Sequence, residues 1–261
     1  MDRRALSKMS SAGTFSQPFF SETSDPALER RSPAGPNART VLAPLHYEPN
    51  YAYPLLIWLH GHGGCDERQL LYVMPLVNLQ NFVAVAPRGF AADGEGTGGW
   101  DWPQTPECIE EAERRVDEVI SGSLRRFHIA RHRVFIAGFG AGGTMALRLA
   151  WRRPRQFAGA ISLCGAAPRG MRPMADYFGV RKVPVLIAVG RDDEEYTPVQ
   201  ACEDLRFLHT VGINIVLRQY PCAREMPAEM LADVNRWLVD IVNGGSGEGT
   251  LPDGDVLQQE A

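Results

Sequence analysis

Short apolar runs alternate along the chain with longer stretches in which apolar residues recur at helical spacing. The apolar runs, which predict β-strands, cover residues 55–59, 82–86, 134–137, 158–163, 184–189 and 214–219. The amphipathic stretches, which predict α-helices, cover residues 67–79, 106–127, 143–152, 198–210 and 227–242. Because the strands lack polar alternation and are mostly followed by helices, the pattern predicts an α/β fold with a mostly parallel central sheet and helices on both faces.

Two glycine-rich turns follow strands of this predicted sheet. Residues 60–64 read HGHGG, and residues 138–142 read GFGAG between a strand and a helix. Ligands of parallel sheets bind beyond the carboxyl ends of the strands, and glycine lets backbone N–H groups approach an anion there. A strand, a tight turn and a helix with the pattern G-x-S-x-G hold the nucleophilic serine of many hydrolases, but the middle position in this turn is Gly140.

Composition indicates one folded domain with flexible segments at both termini. The chain has 261 residues, of which 44% are hydrophobic and 22% charged, enough for one α/β domain with a substantial core. We expect a flexible N-terminal segment over residues 1–40, the folded domain over 41–243, and a disordered acidic tail over 244–261.

Charge and hydropathy narrow the range of partners. A net charge of −4, with arginine pairs scattered along the chain, gives no broad basic surface, so we expect no nucleic-acid partner. No run approaches the about 18 apolar residues of a membrane helix, and the N-terminus lacks the apolar core of a secretory signal. The sequence therefore predicts a cytoplasmic protein without a membrane span.

The five cysteines form no disulfide framework, because they are odd in number and scattered. Cys65, Cys164 and Cys222 are expected near the carboxyl edge of the sheet, where a zinc site or a thiol nucleophile is conceivable together with His60 and His62. The spacing contains no C-x-x-C pair and no H-x3-H element. Buried free cysteine is usually a small apolar residue, so we predict no metal and no cofactor.

Several ordered blocks over residues 41–242 resemble the carboxylesterase/phospholipase branch of the α/β-hydrolases, which includes acyl-protein thioesterases and predicted bacterial esterases. The blocks are YPLLIWLHGHGG, FVAVAPRG, GWDWPQ, VFIAGFGAGGTMALRLA, AGAISLCGA, VPVLIAVGRDDEEYTPVQA and YPCAREMPAEMLADVNRWL. The resemblance implies the α/β-hydrolase fold and a small acyl or ester ligand. Fold alone does not carry function.

The resemblance also implies positions for a catalytic triad. The nucleophile position is Gly140, the acid position is Asp193, with Asp192 as a one-residue alternative, and the histidine position is Arg224. Only the acid is retained, because glycine has no nucleophile and arginine stays protonated and cannot act as a base.

The same resemblance assigns the surroundings of the triad. It places the backbone N–H groups of the oxyanion hole at His62 and Ala141, and it implies a pocket. The expected pocket residues are His60, Gly61, Trp100 and Cys164. For Trp100 and the neighbouring Trp102, lining the pocket mouth and packing against the domain remain equal alternatives.

The incomplete triad leads to three hypotheses. The first is a catalytically degenerate homologue, a pseudoenzyme that binds or regulates. The second is a carboxylic ester or thioester hydrolase that uses a non-standard site, and the third is an interaction module that uses the acidic C-terminal tail. No protein partner can be named from the sequence.

The retained acid position leads to a structural prediction. A carboxylate buried at Asp193 without its histidine needs a new partner, because an unpaired buried charge is costly. We therefore predict an ion pair between the Arg224 guanidinium and Asp193 or Asp192; the alternative is an Arg224 side chain that extends outward to solvent.

Overall fold

The computed structural model describes residues 38–62, 66–92, 99–170, 177–245 and 247, and for Tyr177 the backbone alone. Within these ranges a seven-stranded sheet has the order β1-β3-β2-β6-β7-β8-β9. Its strands are β1 (Arg39–Leu42), β2 (Tyr53–Leu59), β3 (Val83–Pro87), β6 (Ile129–Phe139), β7 (Gly159–Leu163), β8 (Val185–Gly190) and β9 (Ile215–Tyr220). Only β1 runs antiparallel to its neighbour, so the predicted mostly parallel sheet is confirmed.

Helices cover both faces of the sheet. They are α1 (Gln69–Val77), α2 (Pro106–Arg126), α3 (Ala141–Arg152), the short α4 (Tyr177–Val180), α5 (Pro198–Thr210) and α6 (Ala228–Val242). Along β2 the side chains alternate between two apolar layers: Leu55 and Ile57 face the layer that contains α2, α3 and α5, whereas Leu56 and Trp58 face the layer that contains α1 and α6. This alternation is the period of two expected for a strand buried on both faces.

The structure differs from the sequence prediction at several boundaries. Strand β1 begins at Arg39, two residues before the predicted start of the folded domain at residue 41, because it pairs antiparallel with β3. Strand β6 is longer than predicted, since its polar residues 131–133 interrupt the apolar run but still lie in the strand. A two-stranded sheet of β4 (Phe90–Ala91) and β5 (Trp100–Asp101) was not predicted.

Parallel pairing brings the carboxyl ends of the strands to one edge. Leu59 pairs with Gly138 and Phe139 with Leu163, so the loops after β2, β6 and β7 emerge side by side. Over the part of the chain that the structure describes, no helix combines the length and apolar character needed to cross a bilayer.

Candidate active site

The turn between β6 and α3 keeps the geometry of a nucleophile elbow. Gly140 has φ 55° and ψ −123°, a conformation that strains any residue with a Cβ. Its N–H donates a 2.8 Å hydrogen bond to the carbonyl of Leu163, and its carbonyl accepts a 3.1 Å bond from the N–H of Thr144. The elbow is therefore built and anchored without a nucleophilic side chain.

Close backbone packing explains why glycine flanks this turn. A Cβ on Gly142 would lie 2.3 Å from the carbonyl oxygens of Leu59 and His60, and a Cβ on Gly138 would lie 2.5 Å from the carbonyl of Gly142. The first turn of α3 thus packs directly on the end of β2, which leaves no room for a side chain.

Asp193 is a fully buried carboxylate after β8. Its Oδ1 accepts hydrogen bonds from the backbone N–H groups of Glu195 (2.9 Å) and Tyr196 (3.0 Å). Asp192, the one-residue alternative, is exposed and pairs with Arg191. Asp193 is therefore the carboxylate that faces the site.

The predicted ion pair between Arg224 and Asp193 is confirmed. Arg224 Nη1 lies 3.3 Å from Asp193 Oδ2 and 3.4 Å from Oδ1. The same guanidinium reaches a second carboxylate, since Nη2 lies 3.3 Å from Oε2 of Glu195. Glu195 was not predicted as a site residue; its only signal in the sequence is its place in the acidic run DDEE at 192–195.

The Arg224 guanidinium also occupies the space beside the elbow. A Cβ built on Gly140 would lie 2.9 Å from Arg224 Nη2 and 3.7 Å from Cζ. The guanidinium carbon lies 6.0 Å from the centre of the Phe139 ring. The absence of a side chain at 140 and the presence of arginine at 224 are therefore sterically linked.

The loop after β2 lies against the elbow, as expected for an oxyanion loop. A Cβ on Gly61 would come within 2.6 Å of the Phe139 ring, and the Gly61 N–H donates to Gln69 Oε1 at 3.2 Å. His62 follows, with an exposed imidazole whose Nδ1 lies 3.7 Å from Asp101 Oδ2. Ala141 begins α3, where backbone N–H groups lack intrahelical partners. The oxyanion role of His62 and Ala141 remains a prediction.

His60 is a buried structural side chain and does not line an open pocket, contrary to expectation. The N–H of Gly89 donates to His60 Nε2 at 2.9 Å, so the neutral ring carries its proton on Nδ1 and donates to the carbonyl of Gly61 at 2.8 Å. Burial lowers the pKa of His60. With both ring nitrogens bonded to backbone, this imidazole has no free nitrogen with which to act as a base.

Trp100 and Cys164, two of the expected pocket residues, lie in different environments. Trp100 is partly exposed, with the guanidinium of Arg88 4.6 Å from its ring centre, whereas Trp102 is buried against His60. Trp102 therefore packs against the domain.

Cys164 is buried with φ 52°, and its Sγ lies 3.8 Å from the carbonyl of Glu225. Burial raises the pKa of its thiol to about 12. Such a thiol is not a nucleophile at neutral pH.

No group of three or more potential metal ligands comes together among the described residues. Cys65, one of the cysteines considered for a zinc site, lies outside them. Cys222 is buried as a free cysteine, and burial raises its pKa also.

A sequence model describing the phospholipase/carboxylesterase family matches residues 48–241. The chain belongs to this family. The phospholipase/carboxylesterase assignment confirms the resemblance found in the sequence blocks, and the α/β-hydrolase fold is confirmed by solved relatives.

Two solved structures illustrate that shared fold. A carboxylesterase from Mesorhizobium loti is similar with a TM-score of 0.66 at 19% identity, covering 81% of this chain and 98% of its own. Acyl-protein thioesterase 2 from Zea mays is similar with a TM-score of 0.62 at 17% identity, covering 78% of this chain and 98% of its own.

A further relative is similar in sequence over part of its length. NocK of Nocardia uniformis subsp. tsuyamanensis, which is named as a candidate esterase, is 32% identical over 147 residues. The alignment covers 54% of this chain but only 40% of NocK, so the chain aligns with less than half of that relative.

Proposed function

We propose that this family member is a pseudoenzyme, a non-hydrolytic binding or regulatory protein that uses the former active site. The observation that carries the proposal is the position of Arg224. Its guanidinium pairs with Asp193 and fills the space beside Gly140, where the side chain of a nucleophile would project. The names of the relatives, a carboxylesterase and an acyl-protein thioesterase, supply the acyl or ester ligand class.

The chemistry of the neighbouring groups supports the proposal. Acyl transfer through a triad needs a nucleophile and a base that orients and deprotonates it. Gly140 has no side chain, arginine does not deprotonate in proteins, the nitrogens of His60 are bonded to backbone, and the pKa of Cys164 is raised. The losses act together, because triad members function as a unit.

The second candidate function is hydrolysis of an ester or thioester through a non-standard site. The observation that favours it is the exposed His62 imidazole in the loop after β2, whose Nδ1 lies 3.7 Å from Oδ2 of Asp101 in β5. An imidazole beside a carboxylate can activate water directly as a general base. The third hypothesis, an interaction module in the C-terminal tail, concerns residues 244–261, of which 246 and 248–261 lie outside the described part of the chain.

Turnover of purified protein tests these proposals. Short p-nitrophenyl esters, an acyl thioester and a fluorophosphonate probe are the substrates, with an active serine esterase as positive control. We expect no turnover above the buffer rate and no covalent labelling by the probe. Sustained turnover that disappears in His62→Ala would contradict the pseudoenzyme proposal and support the second candidate.

Restoring the triad tests whether the scaffold is otherwise complete. We expect measurable esterase activity from Gly140→Ser combined with Arg224→His, because the acid at Asp193 and the elbow are in place. Neither single change gives activity, since a serine without a base and a base without a serine both fail. Equal activity in Gly140→Ser alone would show that another base already serves the site.

A further inference from the structure

The two carboxylate partners of Arg224 differ sharply in exposure. The Asp193 side chain is 0% exposed and is held by two backbone N–H groups, whereas the Glu195 side chain is 68% exposed. The arginine side chain itself is 27% exposed, so part of it reaches solvent. Asp193 is therefore a fixed partner, and Glu195 is a surface partner.

The contact between Arg224 Nη2 and Glu195 is exchangeable. An exposed ion pair gains little, because water and salt screen it and because both long side chains lose rotamer freedom when they are held together. Nη2 therefore remains a charged donor whose present acceptor can leave. The contact with Glu195 also shows that a carboxylate can be the acceptor for Nη2.

Nη2 points to the place where a family ligand would react. It lies 2.9 Å from the position of a Cβ on Gly140, and α3 begins at the next residue, Ala141. The partly buried Phe139 ring lies beside the same guanidinium. A ligand group at Nη2 would thus lie over the elbow, with apolar surface next to it.

Charge decides between an acid and an ester as ligand. Asp193 and Arg224 neutralise each other, and Glu195 adds one negative charge that is already accommodated at Nη2. When a ligand carboxylate displaces Glu195, one negative charge next to Nη2 is exchanged for another. The ligand carboxylate then accepts a charge-assisted hydrogen bond from Nη2. A neutral ester carbonyl is a weaker acceptor and does not compensate for the displaced carboxylate.

We propose that the site binds the carboxylate of an organic acid at Arg224 Nη2 in exchange for Glu195, and discriminates against the corresponding ester. This inference rests on the proposed non-hydrolytic function and specifies its ligand class. The site would recognise what the hydrolases of this fold release, not what they cleave.

Binding of matched small molecules to the full chain tests the inference. Hexanoate is the acid probe, and hexanamide and methyl hexanoate are neutral probes of similar size, followed by calorimetry or by ligand-observed NMR. We expect saturable hexanoate binding that is at least about tenfold tighter than binding of either neutral probe, as expected for a hydrogen bond to a charged group.

Two glutamate variants separate displacement from general charge. Glu195→Gln removes the internal competitor and is expected to tighten hexanoate binding by up to about fivefold, which corresponds to the strength of an exposed ion pair. Glu194→Gln is the matched control, because it removes the same charge from the adjacent exposed position. We expect a smaller effect from this control.

Arginine variants locate the binding group. Arg224→Gln is expected to abolish the preference for hexanoate over hexanamide. Arg224→Gln with Asp193→Asn serves the same purpose if the single variant unfolds, because it also removes the unpaired buried charge.

Equal affinity for hexanoate and hexanamide, no hexanoate binding at all, or equal effects of Glu195→Gln and Glu194→Gln would overturn the inference. Each of these results leaves the proposed function standing if the protein also fails to turn over esters. Ester turnover in the separate assay would instead overturn the proposed function itself.

Discussion

At the scale of single residues, the former catalytic centre is a set of coupled replacements. Gly140 provides space, Arg224 fills it, and Asp193 compensates the charge of the arginine. A change at one of these positions alters the environment of the others. The free energies of unfolding of single variants should therefore not add.

Gly140→Ala tests the steric part of this coupling. Alanine must adopt the φ of 55° and place its Cβ 2.9 Å from Nη2, so we expect a loss of about 1–3 kcal/mol in the free energy of unfolding. In the Arg224→Ala background the backbone strain at residue 140 remains, but the contact between the new Cβ and Nη2 is absent. Gly140→Ala should therefore lower the free energy of unfolding by less in that background. Urea unfolding of the four proteins measures the difference; additivity within about 0.5 kcal/mol would show that the residues are independent.

Arg224→Ala tests the electrostatic part. It leaves the buried Asp193 carboxylate without its cation, and we expect a loss of about 1–3 kcal/mol, toward the low end because the arginine is partly exposed. Adding Asp193→Asn should recover part of this loss, since asparagine keeps the Oδ1 acceptor for the N–H groups of Glu195 and Tyr196 but carries no charge. If the double variant unfolds no later in urea than Arg224→Ala, the charge of Asp193 is not the cause.

His60 makes the stability of the protein depend on pH. Burial lowers the pKa of His60, against the raising effects of the bond to the Gly61 carbonyl and of the nearby carboxylates of Asp66, Glu67 and Asp101. The unfolded chain therefore binds a proton at about pH 6.5 that the folded protein does not bind until lower pH. Stability from this group is complete above pH 6.5 and falls as the pH decreases, by up to about 1.4 kcal/mol per pH unit.

The measurement is urea unfolding at pH 7.5 and at pH 5.5. His60→Gln, whose amide oxygen can still accept from the N–H of Gly89, should lose less stability between the two pH values than the unaltered protein does. His209→Gln, a change of an exposed histidine on α5, is the matched control for the loss of an imidazole. A pH dependence unchanged by His60→Gln would remove this residue as its source.

At the scale of elements, the junction of β2 and α3 fixes the elbow. Gly142 allows the first turn of α3 to contact the carbonyls of Leu59 and His60, and a Cβ there would lie 2.3 Å from both oxygens. Backbone atoms cannot yield as a flexible side chain can. The position of the helix start therefore depends on this one glycine.

Two glycine substitutions in helices should have opposite effects. Gly142→Ala is expected to destabilise the protein by more than about 2 kcal/mol, because the new methyl group meets backbone. Gly122→Ala, in the C-terminal part of α2, meets only the end of the Arg125 side chain at 3.9 Å and should stabilise by about 0.5–1 kcal/mol. Urea midpoints decide; a neutral Gly142→Ala would mean that α3 can shift away from β2.

Helices and strands could be predicted from the sequence where their apolar runs were uninterrupted. They could not be predicted where a strand with polar residues forms only because its backbone pairs with a neighbouring strand. Strand β8 and helix α5 were predicted within a residue, because an apolar run or a Thr-Pro start marks them clearly. The amino-terminal part of β6 was missed, since its polar side chains lie outside the core while its backbone still pairs with β2 near Tyr53.

The candidate site was predictable to a similar degree. The contact of Arg224 with Asp193 follows from the cost of a lone buried carboxylate, so it could be predicted. The contact with Glu195 could not, because side-chain reach selects one member of the acidic run. The structural role of His60 depends on the N–H of Gly89, which sequence spacing does not reveal.

At the scale of the whole molecule, the sheet gathers the site from distant parts of the chain. Among the described residues, both apolar cores lie within 38–242. Because the composition of both ends predicts segments without a packed core, we expect a chain cut to residues 38–247 to keep the free energy of unfolding of the full chain within about 0.5 kcal/mol. A larger loss on urea unfolding would show that residues 1–37 or 248–261 stabilise the domain.

The central position of β6 also has a consequence for the order of assembly on the ribosome. Strand β2 is synthesised early, yet one of its edges pairs with β6, which emerges only after α2. Until then the half-sheet of β1, β3 and β2 presents an open, wholly apolar strand edge, a surface that promotes association with other chains. We therefore expect chaperone binding to be most important for the nascent chain at this stage, because it would shield the open edge of β2. The stage ends when β6 pairs with β2.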